Sequence, residues 1–287
     1  MEHRKVTSLR ELYIWGRDSL RKSGIENPEL ETSLLLSRAL EINKTDIYAH
    51  PKREMGFDKV REFNRLLKRR LKGEPIAYIL GEKEFYSRTF EVNPSVLIPR
   101  PETETLVEET IRAIEEFSCL LIADVGTGSG CIAVTVACEC EDAQVFAIDV
   151  SFDALRVAKT NAERHGASSR VSLICADLLS CFADDSLDVV VSNPPYVSAS
   201  DFYNLEPGVR DFEPKLSLFG GEDGLNCIRK IVSQAARVLK NSGWCIIEIG
   251  ANQSEKVAEI FESTGFRNVS TIKDLAGIER IIKGQRL

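Results

Sequence analysis

Histidine is scarce in this chain, with three among 287 residues, at positions 3, 50 and 165. None of the eight cysteines, at 119, 131, 138, 140, 175, 181, 227 and 245, forms a C-x-x-C pair. A Cys/His zinc centre therefore lacks its ligand spacing, and no metal is expected. The cysteines fall in segments that read as core strands, helices or adjoining loops. That suits reduced thiols acting as small buried hydrophobes in a cytoplasmic protein. No stretch approaches about 18 consecutive apolar residues, which excludes a transmembrane helix. The opening Met1 to Val6 is charged, and Arg10, Glu11, Arg17 and Asp18 follow, so a signal peptide has no apolar core. Internal repeats and low-complexity segments are also missing. Positive charge is in deficit overall, at net −7, but unevenly. Residues 1–100 hold 20 Lys+Arg against 15 Asp+Glu, or +5, and the remainder holds 17 against 29, or −12. A uniformly basic nucleic-acid binder is excluded, while a two-part chain with one mildly basic part is not.

What is present is an ordinary globular balance, 43% hydrophobic and 28% charged. The first part reads as helices. Ser8 and Glu11 have capping-box spacing, Leu9, Leu12, Tyr13, Gly16 and Leu20 make one stripe, and Gly24 is a stop signal. Asn27-Pro28 starts a second helix whose apolar face runs through Leu30, Leu34 and Leu35 to Leu40. A third covers about 57–72, with Val60, Phe63, Leu66, Leu67 and Leu71 inside. Lys59, Arg61, Arg65, Lys68, Arg69, Arg70 and Lys72 fall largely outside, either as a solvated face or as a basic surface for an acidic or RNA-bearing partner. Phe85, Phe90, Val92 and Leu97 read as a short connecting hairpin. The expected plan is a helical domain at 1–75, a hairpin linker at 76–98 and a second domain at 99–287.

From about residue 100 the periodicity changes. Apolar β-rich runs at Cys119–Val125, Val145–Ile148, Val171–Cys175, Leu187–Val191 and Trp244–Ile249 alternate with helical stretches near 130–140, 152–166, 223–240 and 254–264. This predicts an α/β fold with a doubly wound parallel sheet. Asn268–Ile272 and Ile278–Ile282, across Leu275-Ala276-Gly277, predict a terminal antiparallel hairpin.

The first strand leads into Asp124-Val125-Gly126-Thr127-Gly128-Ser129-Gly130-Cys131. Its glycines permit a tight turn and close approach of backbone amides to a ligand. G-x-G-x-x-G would need glycine where Cys131 stands, and a P-loop would need Gly-Lys-Ser/Thr, so the loop suits a ligand without a pyrophosphate. Asp149 ends the second strand, 19 residues after Gly130, where a carboxylate can accept both hydroxyls of a ribose. Asp177, followed by Leu178, ends the third and could meet an adenine edge. Each acid alone reads as a loop residue or helix cap rather than as a ligand contact. Together at the carboxyl ends of strands one to three they favour an adenosine-type ligand.

The fourth strand runs into Asn193-Pro194-Pro195-Tyr196. Two prolines fix φ and remove donors, so the free carbonyls of this rigid segment can only accept hydrogen bonds. The Asn193 side-chain oxygen and the Pro194 carbonyl can then hold both hydrogens of a planar NH2 group, with Tyr196 stacked on its face. Two further segments flank it. Leu97-Ile98-Pro99-Arg100-Pro101-Glu102-Thr103-Glu104 reads as a stiff linker with Glu102 or Thr103 as a helix cap. Glu206-Pro207 and then Phe212-Glu213-Pro214 through Gly220-Gly221-Glu222-Asp223-Gly224-Leu225 read as a loop closing over the substrate, with Asp223 capping the next helix.

The glycine loop and strand-end acids resemble the class I S-adenosylmethionine-dependent methyltransferases, which implies a seven-stranded, mostly parallel sheet. By that resemblance Gly126, Thr127, Gly128, Ser129 and Gly130 border the methionine moiety, Asp149 binds the ribose, Asp177 and Leu178 lie by the adenine, and Asn193 borders the cofactor. Leu178 departs from the aromatic residue that many relatives carry there. The tetrapeptide resembles the N-P-P-Y of enzymes that methylate exocyclic adenine nitrogens or side-chain amides. With the I-P-R-P-E-T-E box, the E-P-x-x-x-L-x-G-G-x-D-G-L loop and the helical first part, residues 8–285 resemble the PrmC (HemK) family of release factor N5-glutamine methyltransferases. That implies catalysis by Asn193, Pro194 and Tyr196, substrate contact by these and Pro195, and class I peptide chain release factors as partners, with no stable nucleic-acid partner. The alternative substrate is a nucleic-acid adenine.

Overall fold

The computed structural model describes residues 7–114, 120–274 and 276–287. His3, the charged opening at 1–6, Cys119 and Leu275 lie outside the described residues. The chain divides into two compact units, one of residues up to Gly81 with Pro207–Phe212, the other of Glu82–Glu206 with Glu213–Leu287.

In the first unit the two-residue strand β1 (Thr7–Ser8) precedes α1 (Leu9–Lys22). Ser8 and Glu11 form the reciprocal cap that their spacing predicts. Then come α2 (Pro28–Leu40), α3 (Lys44–Ala49), β2 (Glu54–Met55) antiparallel to β1, α4 (Phe57–Leu71) and α5 (Ile76–Leu80). Leu9, Leu20, Leu35, Leu36, Phe63, Leu66 and Leu67 are buried together. Gly16 is obligatory in this packing, because a Cβ there would stand 2.7 Å from the Phe63 ring. Two expected core leucines are exposed. Leu30 is 52% exposed, since at 3.6 residues per turn it stands about 120–140° around the helix from Leu35 and Leu36. Leu71, at the end of α4, is 38% exposed. Five of the six basic side chains on this helix are in ion pairs, as Lys59–Glu41, Arg61–Asp58, Arg65–Glu62, Arg69–Glu74 and Arg70–Glu31. That matches a charge-balanced face better than a bare basic surface.

The second unit begins with the hairpin β3 (Glu82–Phe85) and β4 (Arg88–Glu91), whose Phe85 and Phe90 are buried in this unit's core. It continues α6 (Glu102–Ile114), β5 (Leu120–Val125), α7 (Cys131–Glu139), β6 (Ala143–Asp149), α8 (Phe152–Arg164), β7 (Val171–Cys175), β8 (Leu187–Ser192) and α9 (Ala199–Phe202). The short α10 (Pro207–Arg210) belongs to the first unit. Last come α11 (Asn226–Val238), β9 (Leu239–Glu248), α12 (Ser254–Ser263), β10 (Arg267–Lys273) and β11 (Glu279–Gln285). Seven strands pair in the order β10-β11-β9-β8-β5-β6-β7. Strands β5 to β9 are parallel, and β11 is antiparallel to both neighbours. Helices on both faces explain why β8 is buried along its whole length and carries the consecutive apolar residues Val189, Val190 and Val191 rather than an alternating pattern. This is the class I methyltransferase sheet.

Three local expectations are corrected. The helix expected to reach Lys240 ends at Val238, and Leu239 already opens β9. Asp223 does not cap it; its carboxylate accepts from Leu225 N–H and pairs with Arg229, bracing the turn in front. Among the described cysteines only Cys131 and Cys245 are buried, while Cys175, at the end of the edge strand β7, and Cys181 in the following loop are exposed. Among the described residues no helix is long and apolar enough to cross a membrane.

Candidate active site

Chain order reverses between β5 and β8: β6 and β7 extend the sheet to one side, and the chain then returns to the other. Open sheets bind ligands at the carboxyl ends of strands at such a reversal. A cavity of about 430 Å³ lies there, within the range of small-molecule sites.

Its floor is the loop between β5 and α7. Gly126, Gly128 and Gly130 have φ of 74°, 53° and 78°. The amides of Gly126 and Thr127 both donate to the Ile148 carbonyl at 2.9 Å, which lashes the turn to β6. A Cβ on Gly126 would meet nothing within 4 Å, so the loop leaves open room where other residues would place a side chain. Beneath it Asp124 accepts from Thr127 Oγ1 at 2.6 Å and Ala133 N at 3.1 Å. Complete burial pushes the Asp124 carboxyl up to about 7 despite those bonds. Gly130 does not line the cavity. It starts α7 where a Cβ would press on Ala158 at 3.0 Å. Asn161 clips the loop from the side, donating to the carbonyls of Ser129 at 2.8 Å and Glu91 at 3.0 Å and accepting from Glu91 N–H at 2.7 Å.

Asp149 ends β6 in a fixed pose, accepting from Gly128 N–H at 3.0 Å and Ser151 N–H at 2.8 Å. Asp177 and Leu178 line the same cavity, Leu178 in a left-handed conformation with φ of 52°. The structure thus brings Gly126, Thr127, Gly128, Ser129, Asp149, Asp177, Leu178, Asn193 and Pro195 to one cavity.

Asn193 lines the cavity, and its Nδ2 donates one of its two hydrogens to Thr103 Oγ1 at 3.0 Å. Pro194 is buried and, unlike Asn193 and Pro195, is not among the residues that line the cavity. Tyr196 is not among the residues that line the cavity, and its hydroxyl donates to Glu248 Oε1 at 3.3 Å. Glu248 also accepts from Thr103 Oγ1 at 2.7 Å. Burial pushes the Glu248 carboxyl up to about 7, and burial with the Glu248 charge raises the Tyr196 phenol.

The proline boxes meet here too. Arg100 pairs with Glu213 at 2.5 Å, and Glu213 also accepts from Ile98 N–H. The loop beyond returns along the tetrapeptide: Val197 N–H donates to Leu218 O and Gly220 N–H to Val197 O, both at 2.9 Å. Gly220 is forced at this crossing, since a Cβ would stand 2.5 Å from both the Pro195 and Gly224 carbonyls. Thr103 acts in the site rather than as the expected cap. Glu248 and the Arg100–Glu213 pair were not marked by sequence reasoning. The available signal was a lone carboxylate in the apolar run Cys245-Ile246-Ile247-Glu248-Ile249.

Residues 11–81 match the PrmC N-terminal domain and residues 104–205 the Methyltransferase small domain. The release factor glutamine methyltransferase of Geobacter sulfurreducens is 40% identical over 284 residues, 99% of each chain. That of Caulobacter vibrioides is 38% identical over 269 residues, 94% of this chain and 93% of its own. A methyltransferase from Pyrococcus furiosus, 20% identical, shares the fold with a TM-score of 0.51 over 78% of this chain and 98% of its own. A glycine loop, a strand-end acid and an oriented Asn-Pro-Pro-Tyr within a full-length match leave one assignment: the chain belongs to the release factor glutamine methyltransferase family.

Proposed function

We propose that this enzyme transfers a methyl group from S-adenosylmethionine to the side-chain amide nitrogen of the glutamine in the Gly-Gly-Gln motif of class I peptide chain release factors. The observation that carries this reading is that Asn193 lines a cavity at the sheet's reversal point while Thr103 holds its amide nitrogen, which leaves its oxygen to accept from a substrate. The residues present fit the donor. Asp149 is a fixed acceptor for a ribose diol, and the open face of Gly126 leaves room for close approach. When bound, S-adenosylmethionine supplies an activated methyl group on a sulfonium leaving group.

The chain's own task is positioning, which contributes up to about 7–11 kcal/mol when reactants are well oriented. An amide nitrogen is a weak nucleophile because its lone pair is delocalised into the carbonyl. Asn193 Oδ1 and the Pro194 carbonyl hold its two hydrogens and stabilise positive charge as it develops on nitrogen. The nitrogen is cationic once methylated and strongly acidic in that form, so it releases one of its two protons to water without a dedicated base. Tyr196 braces the tetrapeptide from behind through Glu248. We assign the helical first unit to docking the partner, and the setting to the cytoplasm, where translation ends.

An adenine amino group offers the same two hydrogens. The test is a labelled-methyl assay that presents a release factor and duplex DNA side by side. Label on the release factor is expected, and label on DNA alone reverses the assignment.

A further inference from the structure

We propose that Thr103 and Glu248 are positioning residues that fix which end of the Asn193 amide meets the substrate; this rests on the amide-clamp reading above. The argument is one of hydrogen-bond direction. Ser192 on β8 pairs with Ile247 on β9, so Asn193 and Glu248 follow at the same level of adjacent strands. Thr103, near the start of α6, covers both. A hydroxyl has one hydrogen, and that of Thr103 goes to Glu248 Oε2 at 2.7 Å. Thr103 Oγ1 can then only accept, and the Asn193 Nδ2 at 3.0 Å is its donor. The carboxylate therefore dictates, through one hydroxyl, that Asn193 turns its oxygen outward. A flipped amide would aim NH2 at an NH2 substrate, donor against donor.

Both Glu248 oxygens accept, one from Thr103 and one from Tyr196, which is the pattern of the ionised carboxylate. A proton on either oxygen would face an O–H donor. The groups that face it are Tyr196 beyond β8, Glu102 and Thr103 on α6, Arg280 on β11 and the buried Cys131 thiol on α7. Burial is the main influence and Glu102 adds to it, while Thr103, Tyr196 and Arg280 oppose, leaving the carboxyl at about 7. The oriented clamp is complete above that pH and decays as pH falls through it.

The experiment measures kcat and KM on a release factor at saturating cofactor, with cofactor affinity by calorimetry, for T103V, T103S and E248Q. T103V should lose about 10–100-fold in kcat, the range expected for an unsatisfied buried polar group, with KM and cofactor affinity close to wild type. T103S, which restores the hydroxyl, should recover most of that loss. Wild-type kcat should fall below about pH 7. E248Q keeps an acceptor oxygen for Thr103 but cannot titrate, so its profile should be flat there. Wild-type kcat in T103V, or equal losses in T103V and T103S, overturns the role of the hydroxyl. An unchanged acid limb in E248Q overturns that of the carboxylate. If T103V does not fold, T103S and the E248Q profile still decide. If wild-type enzyme labels only DNA, the glutamine reading fails, and the same variants measured on DNA test the positioning inference by itself.

Discussion

Raising the pH from 5 to 8 should weaken the second unit, and the size of the effect follows from two buried carboxyls. Asp124 is pushed from 3.8 to about 7 by burial, with the Asp149 charge adding, against bonds from Thr127 and Ala133. Glu248 is pushed from 4.5 to about 7 by burial. A raised acid holds a proton in the folded state that the unfolded chain has released. The stability it contributes is fully present below the unfolded value and is lost as pH rises through the folded one. Over pH 5 to 8 each group accounts for roughly 2–3 kcal/mol, so the pair removes on the order of 5 kcal/mol. That is a large share of an ordinary domain's stability of about 5–15 kcal/mol. Asp223, lowered to about 2 by Arg229, acts in the opposite sense, but its contribution is lost only as pH falls below the usual carboxylate range, outside this window. Urea unfolding followed by Trp244 fluorescence in a W15F background reports on this unit, since the other of the two tryptophans lies in the first. D124N keeps an acceptor oxygen for Thr127 and Ala133 and should remove about half of the fall. A flat or rising stability between pH 5 and 8, or an unaltered slope in D124N, would refute the reasoning.

Other outcomes follow from single contacts. Asn193→Ala should cut turnover by about 10²–10³-fold with cofactor affinity retained; a wild-type rate would remove the clamp. Asp149→Ala frees the Gly128 and Ser151 amides and should weaken cofactor binding in calorimetry, whereas an unchanged titration would exclude a ribose role. Gly220→Ala drives a methyl into the Pro195 and Gly224 carbonyls. It should lower both Tm and kcat, and normal values for both would mean that the crossing can relax.

The sheet was legible because parallel strands buried on both faces are written as continuous apolar runs, and the glycine loop and Asn-Pro-Pro-Tyr because their chemistry is local. The partners of those motifs were not. Thr103 and Glu248 lie 145 residues apart, and Arg100 and Glu213 lie 113 apart. Only the β8–β9 register and the placement of α6 bring such pairs together. A capping threonine and a site threonine look alike in sequence. Leu30 and Leu71 misled for a simpler reason, since an apolar residue at the margin of a helical stripe need not face the core.

The placement of β11 has a consequence for how the molecule assembles. This strand lies between β9 and β10, so β10 has no neighbour in the sheet until residues 279–285 are in place. Before then the outer edge of β9, which carries Glu248, is an unpaired ladder open to association with other chains. During synthesis the glycine loop, built from neighbouring segments, can close early, whereas the edge beside the Asn193 support is sealed only by the late-emerging strand. Removing β11 should therefore yield aggregation before it yields a soluble, inactive enzyme.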